Sequence, residues 1–95
     1  MPLYLMLGRD GPQGLELRKQ HRDAHIARLE KLVQAGRIQY AGPLLDPAGK
    51  PCGSVILFQA EDLEQARASA AADPYVTAGV FASHEVIATR RVFPE

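Results

Sequence analysis

Apolar residues form two kinds of pattern along this chain, and together these patterns predict four strands and two helices. Short unbroken apolar runs are typical of buried strands, and apolar stripes at helical spacing are typical of helices. We predict strands at residues 3–7, 37–41, 54–58 and 80–92, and helices at 15–35 and 63–72. Gly36 is expected to end the first helix, Gly42-Pro43 the second strand and Pro74 the second helix.

The predicted order β-α-β-β-α-β is that of a ferredoxin-like α+β domain, the split βαβ pattern. Right-handed crossovers give one four-stranded antiparallel sheet in the order 4-1-3-2, with both helices on one face. The first and third strands are apolar at consecutive positions, so the face without helices also requires burial. Residues 1–95 are expected to form one domain, and two copies are expected to pair their open faces as a homodimeric α/β barrel.

Composition narrows the classes of partner. Eleven basic residues balance eleven acidic ones, which argues against a nucleic-acid partner. The chain has no apolar run near the ~20 residues that span a membrane. The first residues lack the charged start of a signal peptide, so a cytoplasmic location is expected. Cys52 is the one cysteine, and no activating base stands beside it in the sequence.

The first predicted helix changes character along its inward face. The C-terminal half of this stripe is apolar, with Leu29, Leu32 and Val33. The same stripe continues toward the N-terminus through His25, Arg22 and Arg18. A helix lying flat on a sheet has no use for these polar side chains, whereas a helix whose N-terminal half overhangs a cleft does.

Asp73 stands where the second predicted helix ends, and a carboxylate is unfavourable there by about 0.3–1 kcal/mol because of the helix dipole. Its removal is therefore expected to cost little stability, and its presence to serve function. In the predicted topology the start of the first helix and the end of the second meet at one edge of the sheet. Six side chains are expected to converge there: Arg22, His25, Pro43, Ser54, Asp73 and Tyr75.

A histidine beside an aspartate in a cleft is suited to acid/base chemistry, because the carboxylate fixes the imidazole tautomer. A buried histidine satisfied by a carboxylate without any catalytic role is an equal alternative. His21 and His25 have the i, i+4 spacing of two metal ligands, but a third ligand is not evident and no metal is expected. Ser54 lacks the context of a hydrolase nucleophile.

Five short motifs, in order over nearly the whole chain, resemble the YciI-like (YCII-related) family. They are Arg22-x-x-His25-x-x-x-Leu29, Gly36-Arg37-Ile38, Ala41-Gly42-Pro43, Gly53-Ser54 and Asp73-Pro74-Tyr75. The resemblance implies the dimeric α/β-barrel superfamily and an active site at His25 and Asp73. Ser54 and Arg22 match the family's serine and arginine near the cleft. The resemblance also implies a small-molecule site, since one family member is a dehydrochlorinase that acts on a chlorinated hydroxyhydroquinone.

The sequence thus predicts a small-molecule enzyme without a cofactor, in which His25 acts as acid or base and Asp73 orients it. Lyase chemistry like that of a dehydrochlorinase, or a hydrolase-type reaction, on a small aromatic or anionic metabolite fits this prediction. Arg22 is expected to be the main contact to an organic anion, with Ser54, Pro43 and Tyr75 beside it. The alternative is a non-catalytic ligand-binding or accessory protein on the same scaffold. A purely structural interaction module would have no cleft.

Overall fold

The computed structural model describes residues 1–94, which form four strands and three helices. The elements are β1 (Leu3–Asp10), α1 (Gly14–Gln34), β2 (Ile38–Leu45), β3 (Pro51–Gln59), α2 (Leu63–Ala71), α3 (Pro74–Thr77) and β4 (Phe81–Thr89). All neighbouring strands are antiparallel, in the order β2-β3-β1-β4. This order is the predicted 4-1-3-2 read from the other edge, so the ferredoxin-like topology is confirmed.

The core lies between one face of the sheet and the helices. Side chains alternate between buried and half-buried along β1 and β3, as expected for strands with one covered face. The buried set comprises Tyr4, Met6, Ile56, Phe58, Ala60, Ala66 and Ala70, and Leu29 of α1 packs against it. Small alanines on α2 let this helix approach the sheet closely. Both long helices therefore cover the same face, as predicted.

The opposite face of the sheet is apolar at its centre. Leu5 of β1 lies between Leu57 of β3 and Ile87 of β4 in the strand register. Leu5 and Leu57 are half-buried, and Ile87 is 43% exposed. A row of aliphatic side chains on a sheet face without helices leaves apolar surface in water, and the homodimer expected to cover it stays a prediction.

Four strand ends extend beyond the predicted bounds, and three fall short of them. Gly42 and Pro43 do not stop the second strand, which runs through both of them to Leu45. The prediction failed because β2 is an edge strand, where proline is tolerated. β1 extends to Asp10 and β3 begins at Pro51, whereas β4 ends at Thr89.

Asp73 does not stand at the unfavourable end of a helix, as the sequence suggested. α2 ends at Ala71, and Pro74 begins the separate short helix α3 instead of only stopping α2. Asp73 is the N-cap of α3, and its Oδ1 accepts a hydrogen bond from the backbone N–H of Tyr75 at 2.8 Å. An aspartate is among the preferred residues at an N-cap, and proline is common directly after it. The carboxylate is therefore favourably placed.

Gly36 ends α1 as predicted. Its φ is +72°, in the left-handed region that favours glycine. The N–H of Arg37 closes the turn onto the carbonyl of Leu32 at 2.9 Å. This turn sends the chain directly into β2, which runs back along the same helix.

Candidate active site

A cavity of about 500 Å³ lies between the N-terminal half of α1 and the strands β2 and β3. Five of the six residues predicted to converge line it: Arg22, His25, Pro43, Ser54 and Tyr75. The remaining wall is largely apolar and includes Leu15, Ile26, Leu29, Ala41 and Ile56, and Arg18 and Lys19 complete it on the helix side. The size and lining are those of a site for a small organic molecule.

Asp73, the sixth predicted residue, lies behind His25 and is 2% exposed. His25 Nδ1 is 2.9 Å from Asp73 Oδ1 and 3.1 Å from Oδ2. This confirms the predicted contact between the two residues. An ionised carboxylate only accepts hydrogen bonds, so Nδ1 carries the proton and its N–H donates a hydrogen bond to Asp73. The tautomer of neutral His25 is thereby fixed, with a free lone pair on Nε2.

The free nitrogen of His25 faces the cavity. His25 is 7% exposed and is one of the lining residues. Nε2 has no hydrogen-bond partner among residues 1–94, and it is not fully buried either. The remaining exposure of the ring therefore includes Nε2, which is available to a molecule in the cavity.

Tyr75 holds the imidazole from one side. The two rings are parallel within 6°, and their centroids are 3.9 Å apart. The phenol makes a long hydrogen bond of 3.4 Å to the backbone carbonyl of Arg18. Burial raises the pKa of Tyr75, and the guanidinium groups of Arg18 and Arg22 only partly offset this effect. Tyr75 is therefore a neutral phenol at physiological pH and a flat, rigid wall beside His25.

A second polar cluster borders the cavity, and sequence reasoning missed it. Arg18 Nε donates to Asp10 Oδ2 at 2.7 Å, and Nη2 donates to Asp10 Oδ1 at 2.8 Å. Nη2 also donates to Ser54 Oγ at 2.9 Å. A Cβ on Gly14 would lie 2.5 Å from an Asp10 oxygen, so this glycine makes room for the ion pair. Arg18 was visible on the polar stripe of α1, but the strand-to-helix loop that places Asp10 against it left no pattern in the sequence.

Arg22 lines the cavity but is not held in place. Its side chain is exposed and has no hydrogen-bond partner among residues 1–94. Lys19 is exposed at the same side of the cavity. Both cations stand at the mouth, where they attract an anion but are screened by solvent. The role of Arg22 as main charge contact stays a prediction.

The pair of histidines on α1 does not form a metal centre in the described part of the chain. His25 Nδ1 is engaged with Asp73. Among residues 1–94, no three His, Cys, Asp or Glu side chains come together in a way that could hold a metal ion. Whether the protein uses a cofactor stays a prediction.

The helices bear on whether the chain could cross a membrane. No helix within residues 1–94 is both long enough and apolar enough to cross a bilayer. The cytoplasmic location stays a prediction. Cys52 is exposed and carries no disulfide.

The fold and the cavity together define a ferredoxin-like α+β protein with a His–Asp pair beside a pocket of small-molecule size. The chain belongs to the YCII-related domain family, whose model matches residues 2–90. The resemblance seen in the sequence is thereby confirmed.

Two curated relatives cover almost the whole chain. Protein YciI of Escherichia coli O6:H1 is 41% identical over 97 residues, which covers 96% of this chain and 99% of that protein. An uncharacterized protein of Haemophilus influenzae is 38% identical over 96 residues, which covers 95% of this chain and 98% of that protein. Both are therefore relatives over their full length.

One solved structure of similar fold is that of an enzyme. The dehydrochlorinase TftG of Burkholderia phenoliruptrix, which acts on 5-chloro-2-hydroxyhydroquinone, superposes with a TM-score of 0.81 at 30% identity. The match covers 93% of each chain, and that structure contains 2,5-dihydroxybenzoquinone. Enzymatic chemistry is thus compatible with this fold.

Proposed function

We propose that this protein is a small-molecule enzyme in which His25 moves a proton and Asp73 orients it. The observation that supports this most directly is the 2.9 Å contact between His25 Nδ1 and Asp73, with Nε2 open to a 500 Å³ cavity. The carboxylate stabilises the protonated imidazole and keeps the neutral ring in the tautomer that can accept a proton at Nε2.

The chemistry that best fits this arrangement is an elimination of the lyase type. His25 Nε2 takes a proton from an O–H or C–H group of the substrate. The electron pair left behind forms a new π bond, and a leaving group such as chloride departs with its own bonding pair from a saturated carbon, which the keto tautomer of a hydroxylated aromatic ring provides. The apolar walls suit a small aromatic ring, and the cations at the mouth suit an anionic one. The likeness to TftG supports a hydroxylated aromatic substrate.

The other polar side chains fit supporting roles in this proposal. Ser54 Oγ is hydrogen-bonded to Arg18 and not to a base, which favours a donor to substrate over a nucleophile. A hydrolase-type reaction through Ser54 is thus less well supported than proton transfer by His25. Pro43 and Tyr75 supply apolar contact surface.

We also propose that the working form is a homodimer. The apolar row on the open sheet face, with Ile87 at 43% exposure, supports it. Pairing two such faces removes the aliphatic side chains from water and gives a barrel-like core. The cavity lies on the helix side of the sheet, so each copy has its own.

The experiment that tests the enzyme proposal uses the two histidines of α1. Purified protein is incubated with 5-chloro-2-hydroxyhydroquinone and related hydroxylated chloroaromatics, while released chloride and quinone absorbance are followed. His25→Gln should lower kcat at least about a hundredfold, as expected for loss of a general base. His21→Gln is the matched control, because His21 is on the same helix but does not line the cavity.

The alternative is a protein that binds such molecules without converting them. The largely apolar cavity with exposed cations at its mouth would serve for binding alone. Binding of these aromatics without any turnover, unchanged in His25→Gln, would favour that alternative. Equal turnover by wild type and His25→Gln would contradict the role of His25.

A further inference from the structure

The guanidinium of Arg18 is fixed along one edge and open along the other. Asp10 engages Nε and one hydrogen of Nη2, and Ser54 Oγ engages the other Nη2 hydrogen. The side chains of Arg18 and Asp10 are only 11% and 8% exposed. A guanidinium held by three hydrogen bonds at 2.7–2.9 Å loses little freedom when it binds a fourth partner.

The open edge of this guanidinium faces the cavity. Nη1 has no hydrogen-bond partner among residues 1–94, and it is not one of the fully buried unpartnered atoms there. Arg18 lines the cavity together with Ser54 and His25. Its Cζ lies 5.1 Å from the ring centroid of Tyr75, the same ring on which His25 stacks. Arg18 and His25 therefore border one aromatic ring, on the wall of one cavity.

The net charge of the Arg18–Asp10 pair indicates which kind of ligand atom the pair binds. Asp10 neutralises most of the charge of Arg18, so the pair has weak long-range attraction for anions. The exposed Lys19 and Arg22 at the mouth supply that attraction instead. A preorganised pair of N–H donors that is nearly charge-balanced is suited to an oxygen atom whose negative charge is local or develops during reaction. The Ser54 hydroxyl, which accepts from Arg18, has its own proton free to donate to the same oxygen.

We propose that Arg18 Nη1 and the Ser54 hydroxyl form the subsite for an enolate- or phenolate-type oxygen of the substrate, and that Asp10 is the positioning residue of this subsite. The oxygen bound here is the one that takes up negative charge when His25 removes a proton from the substrate. This inference rests on the proposed function and assigns the anionic oxygen to Arg18 and not to the exposed Arg22.

The test uses 2,5-dihydroxybenzoquinone as the probe and its neutral analogue 2,5-dimethoxy-1,4-benzoquinone as the uncharged comparison. Calorimetry gives the affinity of both, and absorbance reports the ionisation of the bound dihydroxy compound. In Arg18→Lys the charge remains but the planar fork is lost. We expect this variant to bind the anion about tenfold or more weakly and the dimethoxy compound nearly as well as wild type. Lys31→Met is the matched control, because it removes a cation from α1 outside the cavity.

The variant Asp10→Asn distinguishes the effect of the orientation of Arg18 from the effect of the net charge of the site. Removing the carboxylate makes the site more positive, so a site that works by net charge alone would bind the anion more tightly. A site that depends on the orientation of Arg18 would bind it more weakly, by about tenfold, and the probe would ionise only at higher pH. Weaker binding supports the proposal, and tighter or unchanged binding overturns it.

A measurement on wild type keeps the test valid if either variant folds poorly. In protein labelled with ¹⁵N-arginine, the probe should shift the guanidinium resonances of Arg18 and leave those of Arg37 and Arg67 unchanged. An unshifted Arg18 signal at saturating probe would overturn the proposal, as would failure of wild type to bind the anion at all.

The outcomes distinguish this inference from the proposed function. If His25→Gln retains full turnover while the anion still requires Arg18, the proposed function falls and the subsite stands. If turnover requires His25 but Arg18→Lys and Asp10→Asn leave kcat and KM unchanged, the subsite falls and the proposed function stands.

Discussion

At the scale of single residues, Asp73 combines two tasks that the sequence did not reveal together. Its Oδ1 accepts from the backbone N–H of Tyr75 and also from His25 Nδ1. The cap of α3 thus fixes the carboxylate, and the carboxylate fixes the imidazole. Because α3 begins one residue later, the ring of Tyr75 is placed against His25 by the same turn.

This double role reverses the stability effect expected from the sequence. Asp73→Ala should lower the free energy of unfolding by about 2–4 kcal/mol, because an N-cap is lost and a buried imidazole N–H is left unpaired. Urea denaturation measures the change. Asp62→Ala is the matched control: Asp62 caps α2 through the N–H of Gln65 at an exposed position, and its loss should cost about 1 kcal/mol. Equal costs for the two variants would mean that the His25 contact adds nothing to stability.

The raised pKa of Tyr75 predicts a loss of stability in alkali. The unfolded chain ionises this phenol near its ordinary pKa of about 10, whereas burial keeps the folded form neutral to higher pH. The stabilisation by neutral Tyr75 is therefore present below pH 10 and declines as the pH rises from there toward the folded-state pKa. Denaturation midpoints at several alkaline pH values measure this decline.

Two tyrosine variants identify the group responsible for that slope. Tyr75→Phe cannot ionise and should show a flatter decline than wild type. Tyr40→Phe, at a position 57% exposed, should decline as wild type does. Identical slopes for wild type and Tyr75→Phe would contradict the assignment.

At the scale of elements, the sequence predicted those helices and strands whose apolar residues recur at a regular spacing. Two helices, four strands and their order followed from apolar spacing and from crossover handedness. The short helix α3 did not, because Pro74 was interpreted as a stop and not as the first residue of a new helix. Pro43 was likewise interpreted as a stop, here of the second strand. Whether a strand lies at the edge of a sheet, where proline is tolerated, depends on the whole sheet and not on the segment.

The candidate site shows the same limit. The His25–Asp73 contact was predictable because His25 continues the inward stripe of the first helix, and Asp73 follows the second long helix at the same edge of the sheet. The Arg18–Asp10 pair was not, because it depends on the conformation of the loop before α1 and on the space left by Gly14. Contacts that follow from element periodicity can be read from a sequence, whereas contacts that depend on how a loop joins two elements require the backbone path of that loop.

Arg28 joins the two long helices and should be a stability determinant. Its Nη2 donates to the carbonyl of Ser69 at 2.7 Å and to Ser69 Oγ at 3.1 Å, in the last turn of α2. A cation is favourable at the C-terminal end of a helix, and hydrogen bonds to charged groups contribute about 1.5–3 kcal/mol. Arg28→Met should lower the unfolding free energy by about that amount in a urea titration.

The control for this change is Arg67→Met. Arg67 is an exposed arginine of α2 without a side-chain hydrogen bond in the described part of the chain. Its loss should have an effect within about 0.5 kcal/mol of zero. Arg28 Nε is buried without a partner among residues 1–94, and its removal offsets part of the cost of Arg28→Met. A full offset, with Arg28→Met as stable as Arg67→Met, would show that Arg28 does not hold the two helices together.

At the scale of the whole molecule, the two faces of the sheet carry different kinds of surface. The helix-covered face carries the core and, at the N-terminal half of α1, the cavity. The other face carries aliphatic side chains but no helix within residues 1–94, whereas His25, Asp73 and Arg18 lie on the helix side. The proposed assembly and the proposed chemistry are therefore separable, so a change on the open face can test the first without altering the second.

The homodimer proposal is tested on that open face by sedimentation at micromolar concentration, where we expect twice the mass of one chain. Ile87→Glu places a charge opposite Leu5 on the open face and should yield a folded monomer, since pairing would bury two unpaired carboxylates. Val33→Glu is the control: Val33 was expected on the inward stripe of the first helix, but it is 58% exposed on α1, and its replacement should leave the dimer intact. Wild type sedimenting as a monomer would contradict the barrel arrangement, and so would an unchanged dimer in Ile87→Glu. If the monomeric variant also keeps its affinity for 2,5-dihydroxybenzoquinone, each cavity is complete within one chain, as expected from a site built entirely on the helix side of the sheet.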